Sequence, residues 1–192
     1  MPTIDALPAF GLWLRPFRAQ DIPEFVAAVR ESVSTVGRWM DWCTADYDPH
    51  QALAWFDFCE RAQAEGSAYD LGIFTHNGLL LGSAGLNEIS REHHYCNLGY
   101  WVREGAQRQG VGLRAIVALC RYGFAALGLN RIECVIAENN LPSRRLAERS
   151  GARFEGVCRN RLMLKGRPVD AALYGFTPDD ALPLPGETRG EG

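Results

Sequence analysis

The sequence lacks a surplus of positive charge: 20 Lys and Arg stand against 23 Asp and Glu, a formal net charge of -3. A chain of this sign has no global field to hold a nucleic-acid backbone or an anionic membrane, so nucleic acid is not expected as a direct substrate. No run of about 18 apolar residues occurs. Met1 to Arg18 also lacks the basic stretch and continuous apolar stretch of a secretion signal. The expected location is the cytoplasm, with no membrane partner. The six cysteines, Cys43, Cys59, Cys96, Cys120, Cys134 and Cys158, form no Cys-x-x-Cys pair and no Cys/His cluster at metal-ligand spacing. They read as reduced core residues, and no metal is expected. There is no internal repeat and no Gly-x-x-x-x-Gly-Lys-Ser/Thr phosphate loop. A dinucleotide fingerprint also fails, because Arg108 occupies its first glycine position.

What is present is an ordinary globular composition, 192 residues that are 47% hydrophobic and 22% charged, enough for one core and too few for two comfortable domains. One domain is expected over residues 1–176. A flexible C-terminal tail should follow over 177–192, where Pro, Gly and acidic residues lack periodicity. Leu12 to Phe17 alternates as a short strand. Asp21 with Glu24 three residues on predicts a capping box and a first helix. Asp48 and Pro49 open a second helix, with Ala52, Trp55, Phe56, Cys59 and Ala62 on one face and Gly66 at its end. Strands over 68–74 and 79–89 flank Thr75-His76-Asn77-Gly78, whose Asn-Gly pair signals a hairpin. A strand over 95–102 leads through a glycine-bearing turn into a helix with Leu113, Ile116, Val117, Cys120, Phe124 and Leu127 on one side, closed by Gly128. A strand over 131–137, a helix over 142–150 and two strands between 154 and 177 around Lys165-Gly166 complete an α+β pattern.

The segment Gln107-Arg108-Gln109-Gly110-Val111-Gly112 carries the chemistry. It joins a strand end to a helix start, where first-turn amides lack intrahelical partners and carry the positive end of the macrodipole. Gly110 and Gly112 remove side chains where a ligand would approach backbone, so the turn can hold phosphate oxygens through N–H groups alone. Gln107, Arg108 and Arg114 add side-chain donors.

This segment resembles the Gln/Arg-x-x-Gly-x-Gly/Ala pyrophosphate loop of the GNAT superfamily of acyl-CoA N-acyltransferases. Leu98-Gly99-Tyr100-Trp101-Val102, Asn140-Leu-Pro-Ser143 and Gly151-Ala-Arg-Phe-Glu-Gly156 are similar to the branch containing the RimJ- and RimL-type ribosomal-protein N-terminal acetyltransferases. The likeness runs from about Leu12 to Phe176. It implies a mixed, mostly antiparallel sheet of six or seven strands flanked by about four helices, with the strands over 95–102 and 131–137 splayed apart. It also implies acetyl-CoA as cosubstrate and transfer of acetyl to an amine.

Within that resemblance, Trp101 and Val102 pair with pantetheine, and a backbone N–H near Tyr100 or Trp101 receives the oxyanion. The amides of Gln107 through Leu113 cradle the pyrophosphate. Asn140 bonds pantetheine and Ser143 protonates the departing thiolate, although Asn139, Asn140 and Ser143 suit equally well as caps of the helix at Pro142. The tyrosine that other branches place seven residues after the asparagine is Ala147 here. The glutamate often found before Leu-Gly-Tyr-Trp is replaced by Asn97, which cannot take a proton. Glu88 or Asp170 is the alternative base, directly or through water, unless the amine loses its proton to solvent; His93 and His94 are weaker candidates. Trp39 and Trp42 correspond to an acceptor wall, Asn97 and Tyr174 to acceptor-cleft positions, although aromatics of this size also suit a core. The acceptor is expected to be a protein or peptide N-terminal α-amine. A polyamine, amino acid or aminoglycoside is the alternative, as is a non-catalytic acyl-CoA-binding module. Many relatives form dimers, which leaves a homodimer open.

Overall fold

Alternating apolar residues pair into strands along most of the chain, of which the computed structural model describes residues 3–184. The strands are β1 (Leu7–Pro8), β2 (Trp13–Arg15), β3 (Tyr69–Phe74), β4 (Leu80–Ser90), β5 (Tyr95–Val102), β6 (Arg131–Ala137), β7 (Arg153–Leu164) and β8 (Arg167–Phe176). They form one eight-stranded sheet ordered β1-β2-β3-β4-β5-β6-β8-β7. Seven coincide with the stretches read from the sequence. The eighth, β1, pairs Leu7 with Leu14 and Pro8 with Trp13, too short a segment for any alternation to register. β5 and β6 run parallel, while the other neighbours run antiparallel.

Four helices cover the sheet: α1 (Ile22–Glu31), α2 (Pro49–Glu65), α3 (Val111–Ala125) and α4 (Leu141–Arg149). α2 starts as its sequence dictates, with Asp48 Oδ1 accepting from the Gln51 amide and Gln51 Oε1 from the Asp48 amide, both at 2.9 Å. It ends at Gly66 in the left-handed region, φ 68°. The start of α1 differs from expectation. Asp21 makes no side-chain cap to α1; its carboxylate accepts two Arg15 guanidinium N–H groups at 2.7 and 2.9 Å and the Arg18 amide at 2.8 Å. A bidentate charged fork outcompetes a single helix amide. In the hairpin between β3 and β4, Gly78 alone takes the left-handed conformation, φ 83°, and its amide bonds Thr75 O at 3.0 Å.

The sheet buries two different faces. On one, α3 packs Ile116, Leu119 and Cys120 against Leu71, Leu86, Leu98 and Ile132. On the other, α1 and α2 enclose Phe25, Phe56, Phe74 and Trp101, with the Phe25 and Trp101 rings edge to face at 5.7 Å. The first residues of the stretch expected to be a flexible tail are instead held against the domain. Leu182 packs on the core, and Asp180 accepts from the Thr177 amide at 2.7 Å while pairing with Arg153. The rest of that tail, 185–192, lies outside the described residues. No helix among the described residues is long and apolar enough to cross a membrane.

Replacing Asp48 by Ala removes the reciprocal cap of α2 and is expected to cost about 1 kcal/mol. Urea denaturation checks this: the midpoint falls while the slope is unchanged.

Candidate active site

β5 and β6 pair only through Tyr95 with Arg131, Cys96 with Ile132 and Asn97 with Glu133. Beyond that point β5 keeps to β4 as far as Val102, and β6 keeps to β8 as far as Ala137. The two central strands therefore part, as the resemblance implies, and a cleft of about 840 Å³ opens there. Tyr100 spans its base: its Oη lies 3.0 Å from Ser143 Oγ and donates to Ser143 O at 3.2 Å.

The loop after β5 is held from below by α1. Arg103 reaches Glu24 at 2.5 Å, Glu31 at 2.5 Å and Leu80 O at 3.0 Å. The Gly105 amide then donates to Glu31 at 2.7 Å and the Glu104 amide to Ser32 Oγ at 3.1 Å. This contact with Arg103 keeps the Glu31 carboxyl below its ordinary value. Gln107 and Arg114 turn inward instead of offering free donors. Gln107 Nε2 bonds Val102 O at 3.0 Å and Thr35 Oγ1 at 3.1 Å, while Arg114 bonds the carbonyls of Phe10, Gln109 and Gly110. Gln109 folds back onto Gly105 O at 2.9 Å and does not line the cleft.

The two glycines serve different purposes. Gly110 has φ 74° and open space where a Cβ would stand, so conformation selects it. At Gly112 a Cβ would come within 2.6 Å of Leu146 Cδ2, so a side chain there would have to displace the tip of Leu146 on α4. Together they present the N-terminus of α3 to the cleft. Arg108, Arg38, Arg145 and Arg149 also line it, and no Asp or Glu among the described residues does. Arg145 and Arg149 were not singled out from the sequence, although their spacing of four places them on one helix face.

The hydroxyl pair at the base suits proton donation. Burial holds the Tyr100 phenol far above its ordinary range, so it stays protonated beside Ser143. Asn140 Oδ1 accepts from the Ser143 amide at 3.3 Å and also lines the cleft, so the capping and binding readings coexist in one residue.

Tyr100, Trp101, Val102, Gln107, Arg108, Gly110, Val111, Gly112, Leu113, Asn140 and Ser143 all line the cleft, and so does Trp39. Trp42 does not, but its ring lies 5.6 Å from that of Trp101 and it is 40% exposed. Four other positions fall elsewhere. Glu88 sits exposed in an irregularity of β4 with φ 51°, away from the cleft, so a base role for it has no support in the geometry. Asp170 accepts from the Asn160 amide at 2.8 Å and is likewise not in the lining. Tyr174 is fully buried beneath α4, donating to Glu148 at 2.7 Å and accepting from Arg144 at 3.1 Å, which corrects its expected place in an acceptor cleft. Its alternation on β8 pointed to one face, and that face is the α4 side. Asn97, expected in the acceptor cleft, is not in the lining either; its Nδ2 donates to Asn87 Oδ1 at 2.8 Å.

Comparison with known proteins adds four findings. The family model described as an acetyltransferase (GNAT) domain matches residues 11–153. YoaA of Bacillus subtilis, an uncharacterised N-acetyltransferase, is 34% identical over 97 residues, covering 50% of this chain and 55% of that one. The matched stretch thus spans little more than half of that relative. Among solved structures, a Vibrio cholerae protein provisionally assigned as a ribosomal-protein-serine acetyltransferase superposes with TM-score 0.82 at 30% identity, over 93% of this chain and 100% of that one. RimJ of Mycobacterium smegmatis, solved in complex with CoA-disulfide, shares the fold with TM-score 0.81 at 22% identity, over 90% of this chain and 84% of that one.

Replacing Arg103 by Ala leaves Glu24 and Glu31 facing each other without a cation and is expected to lower stability by about 2 kcal/mol at pH 7. Because the folded Glu31 carboxyl lies below its ordinary value of 4.5, the contribution of the pair is complete above that value and is lost as pH falls through the depressed one. Urea titrations across pH should therefore show wild type and variant converging in acid.

Proposed function

The chain belongs to the GNAT family of N-acetyltransferases, with relatives of RimJ and RimL type, and from that membership we propose that it moves acetyl from acetyl-CoA to the α-amine of a protein or peptide N-terminus in a ternary complex. The observation that carries this reading is the parting of β5 from β6 directly above the Tyr100 and Ser143 hydroxyls. The N-terminal amides of α3 and the four cleft arginines suit a pyrophosphate and a further phosphate. Backbone of Trp101 and Val102, with the Asn140 side chain, suits the pantetheine amides. The chain through Phe176 is read as one catalytic domain.

The chemistry then assigns itself. The amine lone pair adds to the thioester carbonyl carbon, and a β5 amide near Tyr100 or Trp101 stabilises the oxyanion. The carbon–sulfur bond breaks with its electron pair on sulfur. The Ser143 hydroxyl, hydrogen-bonded to Tyr100, gives its proton to that thiolate. An ammonium that becomes an amide sheds two protons: one restores Ser143 and the other leaves to solvent. A cleft without a lining carboxylate disfavours polycations, which supports a peptide terminus over a polyamine or aminoglycoside.

Calorimetric titration with acetyl-CoA, followed by thiol release against peptides, polyamines and aminoglycosides, tests the reading. Binding with release on peptides alone is expected; binding without release on any amine favours a sensing module, and no binding rejects the reading. The Ser143→Ala variant should lose roughly 100-fold in kcat while its affinity for acetyl-CoA stays unchanged.

A further inference from the structure

The end of the β7–β8 hairpin carries a charge cluster that acetyl transfer as written does not use. Residues 159–167 include Arg159, Arg161, Lys165 and Arg167 and no Asp or Glu, in a chain whose net charge is -3. All four cations are exposed, and none of their side chains has an ion pair or hydrogen bond among the described residues. Elsewhere Arg15, Arg103, Arg131 and Arg153 are each paired with a carboxylate. The carboxylates that reach the hairpin end bind its backbone instead. Asp170 accepts from the Asn160 amide at 2.8 Å, and Asp41 accepts from the Lys165 amide at 2.9 Å through Oδ2 and 3.2 Å through Oδ1. The positive side chains are left without a partner.

The bond to Asp41 fixes this hairpin end beside the cleft. Lys165 and Gly166 both take left-handed conformations, φ 52° and 72°, between the paired Leu164 and Arg167. That is the two-residue turn whose twist matches a tight hairpin. Asp41, to which the turn is bonded, directly follows Met40, and Trp39 and Met40 both line the cleft. The next residue, Trp42, leaves 40% of its surface exposed. Met163, 64% exposed, stands opposite Pro168 and lies in sequence between Arg161 and Lys165, so apolar contact area sits among the cations.

We propose that the end of the β7–β8 hairpin docks the acceptor, and that the acceptor is acidic: Asp and Glu side chains in the few residues after its α-amine lie on Arg159, Arg161, Lys165 and Arg167. The inference rests on the acetyl transfer proposed above. An extended peptide advances about 3.3 Å per residue. With its amine at the thioester, its following residues leave past Trp39 and Met40 and meet a hairpin that is bonded one residue farther on. Guanidinium groups take carboxylates through paired parallel hydrogen bonds, which suits three arginines to this task. Each exposed ion pair contributes little, but four act together on the encounter and on KM, while the chemistry at the thioester is untouched. RNA is the other polyanion that such a cluster could hold. The acidic peptide is favoured because the rest of the chain repels a long anionic backbone, whereas a short segment continuous with the amine needs only the local cluster.

The test uses peptides that share their first two residues and carry acidic, neutral or basic residues at the next four. In wild type kcat/KM should fall about tenfold from the acidic to the neutral peptide and further for the basic one, through KM. Salt at about 1 M should shrink that ratio. The Arg161→Glu variant should lose the preference while its affinity for acetyl-CoA stays unchanged. Arg61→Glu makes the same charge change at an exposed, unpartnered position on α2 and should keep the preference. A wild type indifferent to acidic residues, or an Arg61 variant that shifts the ratio as far as the Arg161 variant does, overturns the inference. Peptides that already carry an N-terminal acetyl cannot react, and so separate docking from turnover. The acidic one should move the Lys165 and Gly166 amide resonances of the wild-type protein, and the neutral one should not. With that movement but no thiol release to any amine, the docking stands and the proposed function falls; without it the docking falls. A single-stranded RNA that moves these resonances when the acidic peptide does not also overturns the inference and makes the hairpin a nucleic-acid surface.

Discussion

The molecule depends on a parallel strand pair that stops after three residues. Backbone groups leaving a sheet must find other partners, and here each strand keeps its outer neighbour while the inner sides face open space. That arrangement holds only if something else fixes the strand ends. Arg103 does so for β5, gripping two carboxylates of α1 just where the strand passes into its loop. The α1–α2 segment also bonds the loop through Ser32, Ser34 and Thr35. The α1–α2 segment that lines the cleft and the loop that opens α3 are therefore parts of one hydrogen-bonded unit.

Much of the fold was legible because its signals are local. The Asp48 box, the Gly78 turn and the glycine-capped end of α2 depend on residues within a few positions of one another. Asp21 misled because its partner, Arg15, lies on a strand whose pairing no local pattern encodes. The point at which β5 leaves β6 was likewise invisible to composition and periodicity, and came only from likeness to a family. Pairing register is a property of two distant segments, and a single sequence carries no measure of it.

The candidate site was legible in the same uneven way. The turn from Gln107 to Gly112 and the Asn140 to Ser143 segment stood out because glycine and capping residues are chemically distinctive. Side-chain direction was not. Tyr174 was assigned to the cleft by its motif, whereas it is fully buried beneath α4 with its hydroxyl held between Arg144 and Glu148. Glu88 was attractive for being acidic and near the strand pair, yet a left-handed residue in an irregular ladder points its side chain to solvent.

The four cleft arginines sit in a molecule whose overall charge is -3. At physiological ionic strength the screening length is about 8 Å, shorter than the width of such a domain. A polyanion drifting toward this protein would therefore be indifferent to the acidic remainder until close, and then be drawn by the mouth of the cleft alone. The net charge describes how these molecules repel one another; the local one decides where a ligand lands.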